Sequence, residues 1–321
     1  MKRQKAAPRF LNCVFRPQGE KLHNLGKTNR VWQAALFVCF FLFNCAVTPV
    51  ENAQTFSESA KSREFVPAEH LVFIGLDGWG GAYISKADMP TVKRMITGGA
   101  STLDMRCIMP SNSWPNWSSL FWGVEPESPA QRQEENIFSI FTAVKNSKPA
   151  STAALFYEWG ELQRICSADT ADRQRILSNL ESARSVAAYI KEKKPFFTAV
   201  VFNQPDGIGH SERWGSPAYY KKLTEMDGYI AIIEQAVKDA GIYDSTVFML
   251  SADHGGSLWG HGHNLPKQRK IPLVIYGRGI KEGFVIPSPT AIRDITPTMT
   301  AILGIQASAE WTGRPLLEVF Q

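Results

Sequence analysis

The sequence predicts an α/β fold: a mostly parallel central sheet with helices on both faces, arranged as a three-layer sandwich. Three observations carry that prediction. Short apolar runs alternate with helix-length amphipathic stretches from His70 to Leu303. The strand-like runs, such as HLVFIGL at His70–Leu76, are apolar enough to be buried. Acidic, histidine and serine residues collect where these runs end, the position at which open α/β sheets bind ligands.

Taken in order, His70–Leu76 reads as a strand, Met89–Thr97 as a helix and Ala100–Cys107 as a second strand. Asn116–Trp122 reads as a helix opened by Pro115, whose missing N–H costs nothing in a first turn. Asn136–Lys145 reads as another helix and Thr152–Phe156 as a strand. A single long helix is expected over Arg173–Lys193, with Ile176, Leu180, Ala183, Val186, Ala187 and Ile190 near helical spacing. Phe196–Phe202 is strand-like, and Pro217–Ala240 is an amphipathic helix stopped at Gly241. Thr246–Leu250 and Ile271–Tyr276 are strands, and Arg293–Leu303 is a closing helix.

The chain has 321 residues, 44 % of them apolar, enough to bury a full core. Its formal charge of +5 is unevenly placed. Met1–Arg30 holds eight Lys/Arg against one Glu, so the remaining 27 basic residues face 29 acidic ones. The globular part is near neutral, and no nucleic-acid polymer is expected as a partner. The basic head precedes Ala34–Phe43, AALFVCFFLF, an unbroken apolar run that continues more weakly to Val50. This pattern predicts either an export signal, giving a periplasmic or secreted protein, or an uncleaved membrane anchor through Ala34–Val50. Membrane contact is expected only through that segment. Residues 1–65 are therefore set apart as head, signal or anchor and linker, and residues 66–321 form the folded domain. Of the five cysteines only Cys107 and Cys166 fall in that domain, where they either pair or remain free. With no CxxC spacing, a structural zinc ribbon is excluded.

The strand ends carry the chemistry. Asp77 follows the first strand, and SNSWPN at Ser111–Asn116 follows the second. Asp206 and His210 lie in QPDGIGH, beyond the strand ending at Phe202. Asp253 and His254 follow TVFML, and His261 and His263 precede the next strand. Alone, an Asp-Gly is most often a turn and a Ser/Asn cluster most often a helix cap. Together, four of the five histidines past Arg30 fall in two such loops. Carboxylate with imidazole suits zinc or a similar divalent ion, and more than four candidate ligands imply two ions.

The stretches VFIGLDG (Val72–Gly78), MPSNSWPNW (Met109–Trp117), PDGIGH (Pro205–His210), SADHGG (Ser251–Gly256), GHG (Gly260–Gly262) and IPLVIYGRG (Ile271–Gly279) resemble the alkaline phosphatase superfamily. The nearest branch is that of the type I phosphodiesterases and nucleotide pyrophosphatases. The resemblance implies that Asp77, Ser113, Asp253 and His254 hold one metal and that Asp206, His210 and His261 hold the other. It makes Ser113 the nucleophile and gives Asn116 a non-bridging phosphate oxygen. His261 is preferred to His263 because the family ligand is the His of a His-Gly pair some ten residues before the Pro of the next strand, here Pro272. The cofactors implied are two divalent ions, Zn2+ or alternatively Mn2+.

The implied activity is hydrolysis of a small phosphate ester, foremost as a phosphodiesterase or nucleotide pyrophosphatase working through a phosphoseryl intermediate. A phosphomonoesterase or a phosphoglycerate mutase-like phosphotransferase is the alternative. A monoesterase needs extra positive charge for its dianion, and no Arg sits beside Ser113 in sequence. A sulfatase is disfavoured because Ser113-Trp114-Pro115-Asn116-Trp117 has Trp where a sulfatase motif carries Arg. A catalytically inactive metal-binding module is the reading from another class. Trp114, Trp117, Phe121, Trp122, Tyr157 and Trp159 are candidates either to stack a base or to fill the core, and Arg164, Arg213, Trp214 and Lys267 are candidates for a rim.

Overall fold

The structure is a computed structural model that describes residues 65–125 and 138–321. The apolar run Ala34–Val50 lies outside the described residues, as do Asn136 and Ile137, the start of one expected helix. Among the described residues no helix is long and apolar enough to cross a membrane.

The chain builds β1 (His70–Leu76), α1 (Pro90–Thr97), β2 (Ala100–Arg106), α2 (Ser113–Trp122), α3 (Ile140–Ser147), β3 (Ala153–Tyr157), β4 (Asp172–Arg175) and α4 (Leu180–Lys193). It continues through β5 (Phe197–Phe202), α5 (Asp206–Glu212), α6 (Pro217–Asp239), β6 (Thr246–Ser251), α7 (Pro266–Arg269), β7 (Lys270–Gly277), β8 (Phe284–Val285) and α8 (Ile295–Leu303). The strands form one sheet in the order β4-β3-β5-β1-β6-β7-β2-β8. Among the described strands only β7 runs against the rest, pairing antiparallel with both β6 and β2. The mostly parallel α/β sheet expected from the sequence is thus present.

β1, β3, β5 and β6 are buried almost residue for residue, as strands covered by helices on both faces must be. Helix ends are set locally. Ser139, Asn179 and Ser216 each accept a hydrogen bond from a first-turn amide of α3, α4 and α6, contacts worth about 1 kcal/mol apiece. α2 ends at Gly123 with φ 62°, a left-handed stop that suits glycine.

One expectation is corrected. Arg173–Lys193 is not a single helix: Asp172–Arg175 is an edge strand paired in parallel with Ala154–Tyr157, and the helix begins at Leu180 behind the Asn179 cap. The strand is exposed at all four positions, so it carries no apolar pattern that a sequence could display. Ile176, counted toward the helix, is a buried residue of the connection. Cys107 and Cys166 are both buried and free, which closes the disulfide alternative. Burial pushes each thiol up to about 12.

Candidate active site

The candidate Asp and His ligands lie past the carboxyl ends of β1, β5 and β6, which are neighbours in the sheet, and Ser113 lies past the end of β2. Asp77 directly follows β1, and Asp253 with His254 follows β6. Asp206 opens α5 and His210 lies one turn later on the same face, the i,i+4 spacing that lets two side chains share a ligand. Gly78 (φ 71°) allows the two carboxylate loops to meet: a Cβ there would lie 2.8 Å from the Asp206 backbone. The Gly78 N–H also donates to Asp253 Oδ1 at 3.1 Å, tying β1 to β6.

The loop from β6 to β7 brings His261 into the same place. Ser111 anchors it from the opposite side: its carbonyl accepts from His261 Nδ1 at 2.8 Å, and its hydroxyl accepts from the Gly262 N–H at 2.9 Å. His263 is exposed and stays outside the cluster, its N–H donating to Gln268 Oε1.

Ligand atoms of Asp206, His210 and His261 lie within 4.8 Å of one another, and so do those of Asp77, Asp206 and His254. Asp206 therefore stands between two groups of ligands. Asp253 joins the second, with Oδ2 3.2 Å from His254 Nε2. Ser113, the first residue of α2, places its hydroxyl 3.1 Å from His254 Nε2 and 3.5 Å from Asp77 Oδ1.

The imidazoles are oriented in one way. Nδ1 of His210, His254 and His261 each sits 2.8–3.0 Å from a backbone carbonyl, of Trp259, Gly255 and Ser111 respectively. A carbonyl can only accept, so each Nδ1 carries the hydrogen and each Nε2 turns its lone pair inward. Those lone pairs face carboxylate oxygens, and His210 Nε2 lies 3.1 Å from His261 Nε2. Asp206 Oδ1 and Asp253 Oδ2 are buried with no hydrogen-bond partner. Buried acceptors gathered without donors are unfavourable unless a cation sits among them. The residues present thus fit divalent metal.

The electrostatics agree. Burial, then the Asp253 and Asp206 carboxylates, push Asp77 well above the usual carboxylate range. Burial raises Asp206 as well and lifts Asp253 to about 8. Burial, followed by His254, pushes His261 down to about 4. The two groups differ in access. Asp77, Asp253 and His254 are almost fully buried, whereas the side chain of His210 is 47 % exposed.

Asn116 turns its amide onto its own loop. It is wholly buried, and its amide serves the loop before α2: Oδ1 accepts from the Ile108 N–H at 2.7 Å, and Nδ2 donates to the carbonyls of Asn112 at 2.9 Å and Pro110 at 3.2 Å. An amide so committed shapes the turn that presents Ser113.

Three residues contribute in ways their sequence positions did not suggest. Trp117 Nε1 donates to Asp77 Oδ2 at 3.1 Å. Trp214 packs edge-on to His210 with ring centroids 4.9 Å apart, and its indole donates to the Gly78 carbonyl. Gln268 holds the β6–β7 loop through the Ser257 hydroxyl, the Gly260 carbonyl and the His263 amide. Only polar tips on otherwise apolar-looking positions could have signalled the first two. Beside Ser113, Trp114 is half-buried against Trp122 and Trp159, with the Arg164 guanidinium 4.9 Å over its ring. The same guanidinium is paired with Glu161. Trp117, Phe121 and Trp122 are buried in the core.

Residues 71–128 and 145–265 match the family described as type I phosphodiesterase / nucleotide pyrophosphatase. Arylsulfatase K of Danio rerio is 29 % identical over 104 residues, 31 % of this chain and 20 % of that protein. GPI ethanolamine phosphate transferase 1 of Emericella nidulans is 40 % identical over 76 residues, 23 % of this chain and 8 % of that protein. The chain thus spans a fifth or less of the length of these curated relatives. Among solved structures, an inactive murine ectonucleotide pyrophosphatase/phosphodiesterase 5 in complex with AMP superposes with a TM-score of 0.65 at 10 % identity, covering 79 % of this chain and all of that one.

Proposed function

Because the chain belongs to the type I phosphodiesterase / nucleotide pyrophosphatase family of the alkaline phosphatase superfamily, we propose that it is a metal-dependent phosphodiesterase acting on small phosphate diesters or nucleotide pyrophosphates. The observation that carries the reading is the Ser113 hydroxyl, set 3.1 Å from His254 Nε2 and 3.5 Å from Asp77 Oδ1, beside inward-facing acceptors that call for positive charge. Asp77, Asp253, His254 and Ser113 would hold one divalent ion and Asp206, His210 and His261 a second. Zinc suits the mixed carboxylate and imidazole donors, with manganese the alternative. Bound cations would supply the charge that favours the serine alkoxide and offsets the charge developing on phosphorus-bound oxygens.

The chain's own residues do the rest. Ser113 opens α2, so its hydroxyl and the helix amides point toward the same anionic group. The Ser113 hydroxyl gives up its proton to solvent, the Oγ–P bond forms in line and the P–O bond to the leaving alcohol breaks. That alcohol takes a proton from solvent. Water then displaces Ser113 from the phosphoseryl intermediate, restoring the hydroxyl and releasing the phosphate product. His210, Asp206 and His261 stand on the solvent-accessible side, where the leaving group departs and water enters. The N-terminal segment, as export signal or anchor, would place this chemistry outside the cytoplasm.

A test compares bis-p-nitrophenyl phosphate, p-nitrophenyl phosphate and p-nitrophenyl sulfate with zinc-supplemented protein. The diester is expected to turn over fastest. Ser113→Ala should cut its turnover by at least about 1,000-fold while elemental analysis finds metal content largely kept. Undiminished activity in that variant would remove Ser113 as nucleophile.

A further inference from the structure

Beside His210 the chain holds out two large apolar side chains. Trp259 is 57 % exposed and Leu258 is 70 % exposed, at the tip of a four-residue turn. The turn is closed by reciprocal backbone bonds between Ser257 and Gly260 of 3.0 and 3.2 Å. The Trp214 N–H donates to the Leu258 carbonyl at 2.9 Å, and Gln268 holds both ends of the turn.

Its backbone is also unusual. Among the described residues three that are not glycine have positive φ, and two of them meet here: Leu258 at 53°, and Arg213 at 73° immediately before the bridging Trp214. Bulky side chains rarely adopt such conformations, and they persist where surrounding structure imposes them, commonly at sites of function. The Arg213 guanidinium lies 5.3 Å over the Trp259 ring. The Trp259 carbonyl accepts from His210 Nδ1 at 3.0 Å, so the turn that displays the indole also orients a candidate metal ligand.

In-line displacement puts the leaving oxygen opposite the attacking one. Ser113 lies against Asp77 and His254, which leaves the His210 side for the departing group. We infer that Trp259, backed by Arg213 and flanked by Leu258, is the platform for the leaving alcohol of the diester and biases the enzyme toward planar or apolar leaving groups. This rests on the phosphodiesterase reading above. The turn's backbone bonds and the Arg213 guanidinium over the ring restrain the indole, which lowers the ordering entropy lost on contact with a flat leaving group. The cation over the indole attracts the anionic end of the same substrate.

Two diesters that share a methyl group and differ in the leaving alcohol test the inference: methyl p-nitrophenyl phosphate, followed by colour, and methyl hexafluoroisopropyl phosphate, followed by fluorine NMR. Comparing each variant with wild type on the same substrate cancels intrinsic reactivity. Trp259→Ala should lower the aryl-to-fluoroalkyl ratio of kcat/KM about tenfold, the order of an aromatic contact, and Trp259→Phe should restore most of it. In a Ser113→Ala background, where the aryl diester stays intact, calorimetry should show its affinity falling about fivefold or more with Trp259→Ala. An unchanged ratio with an active wild type, or an unchanged affinity, overturns the platform alone. Wild type that cleaves neither diester overturns the phosphodiesterase reading and the platform with it.

Discussion

The indole nitrogen of Trp117 donates a hydrogen bond to Asp77 Oδ2 across 3.1 Å, joining the helix that carries Ser113 to the carboxylate beside it. Trp117 is wholly buried, and its ring crosses Gly75 so closely that a Cβ at Gly75 would lie 2.5 Å away. The contact orients one Asp77 oxygen and leaves the other toward Ser113. Trp117→Phe keeps most of the packing and deletes the donor. Turnover of the diester, or metal affinity, should fall about 10–100-fold, with circular dichroism unchanged. Wild-type values for both would reduce Trp117 to a packing residue.

His261 and His263 stand two residues apart and should behave differently. His261 is within the cluster, and His263 is exposed outside it. His261→Asn is expected to lower activity by about 100-fold and to reduce bound metal. His263→Asn should stay within about twofold of wild type on both measures. Reversed results would exchange their roles.

Stability should depend on pH differently with and without metal. A carboxyl raised on folding contributes stability that is intact at low pH and is lost as pH rises through its folded value, which for Asp253 is about 8. His261, pushed down to about 4, contributes stability that is present above its usual 6.5 and is lost progressively as pH falls from there through 4. Between about pH 6.5 and 8.5 the carboxyls alone act. Chelated protein should melt at progressively lower temperature across that window, and zinc-loaded protein should not. Parallel curves from differential scanning fluorimetry would contradict the placement of cations among these carboxylates.

Asn116 should prove a structural residue. Asn116→Ala leaves the Ile108 amide without its side-chain acceptor and removes one donor from each of the Asn112 and Pro110 carbonyls, and is expected to cost roughly 1–3 kcal/mol. Urea unfolding reads this directly. A variant as stable as wild type but inactive would return Asn116 to the phosphate.

Much of this was legible in the chain because burial writes itself into composition. HLVFIGL and TVFML are apolar except for their first residues: the His70 ring bonds the Pro195 carbonyl, and the Thr246 hydroxyl donates to the Ile242 carbonyl. The Asp and His residues that follow such strands could be read as a site because backbone topology, not side-chain packing, delivers them to one crevice. What failed to show depends on orientation. Asn116 in a first helical turn looks the same whether its amide turns toward a ligand or back onto its own loop. The α5 segment DGIGHSE has no apolar period, so its helix depends on contacts with Gly78 and Trp214 rather than on local pattern. Trp117 reads as core, and its single polar atom is the part that matters.

The sheet's two margins have a consequence for life before the fold is complete. At one end Asp172-Arg173-Gln174-Arg175 faces solvent along its whole length, and at the other β8 is only two residues long. Neither offers a newly made neighbour a long, greasy ladder to extend. The apolar strands that would aggregate most readily lie in the interior of the order, between β3 and β7. The charged ribbon that hides from pattern recognition therefore acts as the fold's guard against fibre growth.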